Sequence, residues 1–138
     1  MCGFVGIVKN NLIKSDCYIN KIKSKILKIS HRGPDGIKTF SDKDLIVSHA
    51  ILSIQGNAIK QNQPFCNERY VMAFNGEILN FNFAKSLIQK NYKFFDNDES
   101  DTPILFAGLI EQGIEFLKNI DGFYTVFFYD KKLRKGFI

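Results

Sequence analysis

Strand-type segments outnumber helical ones in this 138-residue chain, and they come in groups, with the helical segments between the groups. Gly3 to Val8 is apolar and β-branched and predicts a buried strand. Across Tyr18 to Ser30, Ile19, Ile22, Ile26 and Ile29 recur at helical spacing, with Ser15 or Asp16 placed to cap. The run from His31 to Gly36 stops that helix, because Pro34 disfavours helical geometry at Gly33 and Asp35-Gly36 is a turn pair. Lys38 to Phe40 and Leu45 to Ile54 then read as two strands of a hairpin around Ser41 to Asp44. Strict βαβ alternation is missing, so the pattern predicts an α+β layered sandwich rather than a doubly wound sheet.

The second half continues the pattern. Gln55 to Phe65 is polar, contains Gly56 and Pro64, and reads as a long loop. Arg69 to Phe74 reads as a strand ending at Asn75-Gly76, and Leu79, Phe83, Leu87 and Ile88 define a second helix, followed by a short strand near Tyr92 to Phe95. An acidic turn over Asp96 to Asp101 leads into a helical region that starts at Thr102-Pro103, is divided by Gly113 and runs to Asn119. Phe123 to Tyr129 is an aromatic strand, and after a basic turn Phe137-Ile138 reads as the opening of another.

Several function classes are disfavoured by composition. The net charge of +5 comes from scattered lysines and only three arginines, without the clustered basic and aromatic surface that a nucleic-acid partner calls for. No apolar run reaches membrane-spanning length and the amino terminus lacks signal-peptide order, so a cytoplasmic chain is expected. Cys2, Cys17 and Cys66 are an odd set without metal-ligand spacing, which argues against a disulfide framework and a structural zinc.

Chemistry concentrates at the amino terminus. Removal of Met1 would leave Cys2 with its thiol and a free α-amino group on one residue. A free α-amino group titrates near about 8 and a thiol near about 8.5, so the amine can serve as base to its own nucleophile. That combination predicts acyl transfer through a thioester, by the logic of N-terminal threonine catalysts. His31 and His49 are the only histidines, and with the α-amine supplying a base a Cys-His triad is not required.

Four patches follow one another in order: Cys2-Gly3-Phe4-Val5-Gly6-Ile7, His31-Arg32-Gly33-Pro34-Asp35-Gly36, Asn75-Gly76-Glu77-Ile78-Leu79-Asn80 and Glu99-Ser100-Asp101-Thr102. Together with the Asp121-Gly122-Phe123 turn they resemble the glutaminase domain of class II glutamine amidotransferases, most closely that of the asparagine synthetases. The resemblance implies an N-terminal-nucleophile hydrolase fold, a four-layer αββα sandwich with two antiparallel sheets. It also implies that Cys2 attacks the carboxamide of glutamine, that ammonia leaves, and that water hydrolyses the glutamyl thioester without a cofactor. Asn75 and Gly76 match the oxyanion hole, through a side-chain amide and a backbone N–H. Glu77 and Asp101 match positions holding the substrate's amino group. Arg32 matches an arginine beside the nucleophile that favours the thiolate and orders its loop, which Asp35 braces. Leu52 and Ile54 match substrate-binding positions.

The chain departs from that pattern at Ile51, where the family carries the arginine that binds the α-carboxylate of glutamine, and more mildly at Leu79, where tyrosine is usual. An aliphatic side chain cannot replace a bidentate guanidinium. Either another cation, Lys60 or Arg69, takes that role, or glutamine binds poorly. Three readings follow: a glutaminase domain, a noncatalytic amidotransferase-like module, and an N-terminal-nucleophile acylase for another amide. The resemblance further implies a synthetase domain on the same longer chain, using ATP and magnesium, so that residues 1–138 are expected to be an incomplete glutaminase domain. An incomplete domain is expected to leave a sheet edge unpaired, which favours self-association, a homodimer included.

Overall fold

The computed structural model describes residues 2–9, 16–52, 63–92 and 100–138. Its elements are β1 (Gly3–Val8), α1 (Asp16–Leu27), a 3₁₀ turn (Ser30–Arg32), β2 (Gly36–Ser41), β3 (Leu45–Ile51), β4 (Phe65–Cys66) and β5 (Tyr70–Ile78). They continue with α2 (Phe81–Ser86), α3 (Asp101–Gln112), a 3₁₀ segment (Gly113–Asn119), β6 (Gly122–Asp130) and β7 (Lys135–Phe137). Among the described residues the strands make two antiparallel sheets, ordered β1-β3-β2 and β4-β5-β6-β7. This is the expected α+β class. Residue contacts divide the chain into two compact units, Met1–Asn75 with Val126–Ile138, and Gly76–Thr125.

In the first unit β3 is the central strand, and all seven of its residues are buried. A strand is buried continuously only when both of its faces are covered, and the alternation of its side chains shows how that happens. Ile46 faces Ile22 of α1, with Val5, Ile7, Tyr18 and Ile19 around them. Leu45 and Val47 point the other way, into a core with Val71, Ala73 and Tyr129 that Phe4, Phe40 and Phe127 close. Full burial of each such aliphatic side chain is worth about 1.5–3 kcal/mol. Gly3 pairs with Ala50 and Gly36 with Ile51, so the starts of β1 and β2 meet the end of β3.

Two turns of this unit use one device. Asp42 Oδ1 accepts the Asp44 and Leu45 N–H groups at 2.9 Å each, and Asp130 Oδ1 accepts those of Lys132 and Leu133 at 2.8 and 3.0 Å. Arg134 Nη2 donates to Asp44 Oδ1 at 2.7 Å, joining the two turns across ninety positions. Arg69 donates through Nε and Nη2 to Asp130 Oδ2 at 2.9 and 2.6 Å, and this contact holds the Asp130 carboxyl below its usual range.

In the second unit α3 buries Pro103 to Leu109, and Phe116 of the following 3₁₀ segment is fully buried. Asn80 bridges its chain ends, accepting the Asp121 N–H at 2.9 Å and donating to the Asn119 carbonyl at 2.8 Å.

The structure departs from the sequence expectations in five places. The first helix is Asp16–Leu27, and Ser30–Arg32 is a 3₁₀ turn rather than its end. Asn75-Gly76 does not end a strand, because β5 runs through it to Ile78. The second helix is only Phe81–Ser86 and buries Ala84, leaving Leu79 and Phe83 exposed. Phe65, expected at the end of a loop, belongs to β4, and Gly113–Asn119 is 3₁₀ rather than α-helical. Ser15, the 53–62 segment with Ile54 and Lys60, and residues 93–99 with the expected strand and Glu99 lie outside the described residues.

Candidate active site

In the first unit Cys2 immediately precedes β1 and is half-buried. The β1–β3 register sets Gly3 against Ala50, which carries the chain just before Gly3 to the segment just past β3. There the Leu52 N–H donates to Cys2 Sγ at 3.2 Å, and Sγ also lies 3.5 Å from the Leu52 carbonyl oxygen. Arg32 Nε donates to the Cys2 carbonyl oxygen at 3.2 Å. The thiol and the carbonyl of Cys2 are thus tied to separate segments of the chain.

The His31 to Gly36 run has a physical reason to be what it is. A Cβ on Gly33 would stand 2.3 Å from Ala50 C, 2.4 Å from Ala50 O and 2.5 Å from Ile51 N, so only glycine allows this approach to the backbone of β3. Asp35 N–H donates to the Ile51 carbonyl at 3.0 Å. Gly33 and Asp35 thereby seat the loop on the last residues of β3, and the 3₁₀ turn before it aims Arg32 at Cys2. Ile51 itself is only 3% exposed, so this departure from the family pattern is a core side chain.

His49, on β3, is fully buried and its Nε2 lies 3.0 Å from the Phe74 carbonyl oxygen. Its ring stacks on Phe4 with centroids 6.2 Å apart. Burial holds its pKa below the ordinary value, so the ring is neutral near pH 7. His31 is exposed. Of the two cations weighed against Ile51, Arg69 is paired with Asp130 and Lys60 lies outside the described residues. Cys17 and Cys66 are exposed free thiols. A cavity of about 410 Å³ in this unit is lined by Phe4, Gly6, Val47, Phe127, Tyr129 and Ile138 among others, and neither Cys2 nor Arg32 lines it.

Asn75 is the half-buried last residue of the first unit's part of β5. In the second unit Gly76 has φ +153°, and a Cβ there would come within 2.3 Å of the Phe123 carbonyl oxygen. Glycine is required at that position on both counts. Asp101 opens α3 and its Oδ2 accepts the Ile78 N–H at 2.8 Å. Burial raises the Asp101 carboxyl above its ordinary value, the Ile78 N–H opposes the shift, and the negative charge of Glu77 adds to it. Glu77 and Asp101 therefore sit close enough to repel. Asp101 also occupies the first turn of α3, where a negative charge favours the helix dipole.

Comparison with known proteins adds a family. A family model described as a glutamine amidotransferase domain matches residues 1–138. Asparagine synthetase [glutamine-hydrolyzing] 2 of Bacillus subtilis is 31% identical over 141 residues, covering 100% of this chain and 18% of that protein. Asparagine synthetase B of Escherichia coli is 30% identical over 138 residues, covering 96% of this chain and 24% of the relative. Asparagine synthetase 1 of Bacillus subtilis is 33% identical over 135 residues, covering 95% and 21%. The chain thus spans about a fifth of the length of these relatives.

Proposed function

Because this chain belongs to the glutamine amidotransferase domain family, we propose that it is the ammonia-releasing part of an asparagine-synthetase-like amidotransferase, with Cys2 as nucleophile once Met1 is removed. The observation that carries this reading is the fixed thiol at the second residue, hydrogen-bonded to Leu52 while Arg32 holds the same residue's carbonyl. In the first step the α-amine takes the thiol proton, the sulfur bonds to the side-chain amide carbon of glutamine, and its C=O electron pair moves onto oxygen. Asn75 and Gly76 are assigned to that oxyanion by the family motif. Collapse breaks the C–N bond, ammonia leaves with the proton the α-amine had taken, and water then hydrolyses the thioester. The step calls on no cofactor.

Glu77 and Asp101 are assigned to the substrate ammonium. Support comes from their mutual repulsion, since a bound cation between two carboxylates relieves it. The longer relatives support a second, synthetase domain on the same protein, where ATP and magnesium would act and where the ammonia acceptor is chosen. The proposed setting is the cytoplasm; among the described residues no helix is long and apolar enough to cross a membrane.

The test is ammonia release from glutamine by the folded protein and by Cys2→Ala, with intact-mass measurement of the amino terminus. Activity is expected only with Met1 removed and Cys2 present. Full activity in a sample that retains Met1 would sink the mechanism. A second reading, the noncatalytic module, is favoured by Ile51, because a buried aliphatic side chain stands at the position matched to the carboxylate-binding arginine of the family pattern. Calorimetric titration of Cys2→Ala with glutamine separates the two readings: no binding at millimolar glutamine would select the noncatalytic one.

A further inference from the structure

β4 is only two residues long and pairs Phe65 with Met72 and Cys66 with Val71. Continuing that register sets Gln63 opposite Phe74, beyond the end of the strand. In an antiparallel ladder the N–H and C=O of one residue point to the same side, so both polar groups of Phe74 face the side that β4 has ceased to cover. Two side chains meet them. Gln63 Oε1 accepts the Phe74 N–H at 2.6 Å, and the Phe74 carbonyl lies 3.0 Å from His49 Nε2. A carbonyl oxygen only accepts, so Nε2 carries the proton and His49 is the donor. Nδ1 is buried and has no hydrogen-bond partner among the described residues, as fits a neutral ring. Gln63 is 4% exposed and His49 is fully buried, so neither contact is open to exchange with water.

The residue after Phe74 is Asn75. We propose that His49 and Gln63 are positioning residues for Asn75: by gripping the Phe74 backbone from both of its polar groups they hold the neighbouring amide at a fixed point for the oxyanion. This rests on the role given to Asn75 under the proposed function. An oxyanion donor works only when it lies about 2.7–3.1 Å from the developing charge, so the backbone beside it must itself be held in place. It also gives His49 a role distinct from that of a base, because its Nε2 proton is engaged with a backbone carbonyl.

The test compares His49→Leu, His49→Gln, His49→Asn and Gln63→Met, each measured for kcat and KM with glutamine and for the rate at which iodoacetamide alkylates Cys2, a reaction that needs no oxyanion donor. His49→Leu is expected to lower kcat about tenfold or more, as partial loss of a contribution worth about 10²–10³, with KM within twofold and alkylation unchanged. Gln63→Met should move kcat in the same direction. His49→Gln, whose amide nitrogen can reach the position of Nε2, should recover most of the loss, while the shorter His49→Asn should not. Parental kcat in folded His49→Leu would overturn the proposal, as would alkylation falling in step with kcat. Where His49→Leu fails to fold, equal kcat in the Gln and Asn variants would overturn it. Parental turnover in Cys2→Ala would instead overturn the functional reading itself, a result separable from all of these.

Discussion

Arg32 Nε and the carbonyl oxygen of Cys2 are 3.2 Å apart, a hydrogen bond that spans thirty positions of sequence. The arginine that the family motif sets beside the proposed nucleophile therefore acts on the backbone of Cys2, restraining the chain just ahead of β1. Arg32→Ala should lower glutaminase turnover about tenfold and reduce stability by about 1.5–3 kcal/mol, the usual worth of a hydrogen bond from a charged donor. Denaturant unfolding and steady-state assays on the same preparation check both effects. Arg32→Lys should rescue neither fully, since it lacks the Nε donor and the planar fork.

Gly33→Ala should be among the most damaging single-methyl changes in the first unit. The new Cβ would meet backbone atoms of Ala50 and Ile51 at 2.3–2.5 Å, and backbone in a central strand cannot yield as a side-chain tip can. A cost at or above the upper end of the ~1–3 kcal/mol range for overpacking is expected. Unfolding in urea tests it, and Gly36→Ala, where a Cβ would meet nothing within 4 Å, is the instructive contrast despite its positive φ.

Asp101→Asn should separate stability from function. Burial and the charge of Glu77 raise the Asp101 carboxyl in the folded state, so its ionisation favours the unfolded chain: the associated stability is present below the ordinary value of 3.8 and is lost as pH rises through the folded pKa. Asparagine keeps an oxygen to accept the Ile78 N–H and removes the charge. The variant should melt slightly higher than the parent at pH 7 while its KM for glutamine rises. A lower melting temperature would show that the carboxylate's bond to Ile78 outweighs its burial.

His49 titrates in another window. Its folded pKa is held below 6.5 by burial, so the folded state binds fewer protons than the unfolded state. Stability should be full above about pH 6.5 and decline as pH falls from there toward the lowered value. His49→Gln should flatten that part of the profile. Asp130, whose carboxyl Arg69 holds below 3.8, loses its contribution only at more acid pH and leaves a separate limb in the same titration.

The strands were legible as apolar and β-branched runs: β1 matches the bounds of the expected Gly3 to Val8, although only Gly3 of it is buried, and β6 extends the expected Phe123 to Tyr129 by one residue at each end. The strand expected to end at Asn75-Gly76 runs on to Ile78, although Asn-Gly is a common turn dipeptide. In the structure the unusual φ of Gly76 serves close passage by Phe123 and Tyr124 within a continuing strand, a tertiary demand that leaves the same residues in the sequence. The spacing of Leu79, Phe83, Leu87 and Ile88 overstates the second helix, because Leu79 precedes it and six residues are too few for spacing to define one. At the site, motif residues were visible as motifs, but their partners were not. Arg32 meets a backbone carbonyl thirty positions away, and His49 meets Phe74 twenty-five positions away. Backbone partners carry no side-chain identity for a pattern to register.

The β1–β3 pairing also sets an order of events in time. Gly3 meets Ala50 forty-seven positions later, so the amino terminus leaves the ribosome well ahead of the strand that will hold it. At ~5–20 residues per second the interval is roughly 2–10 seconds. During it Met1 is a flanking residue of an unpaired chain, open to an aminopeptidase. If Met1 is removed as proposed, the second residue would be exposed for processing first and fastened to Leu52 and Arg32 afterwards.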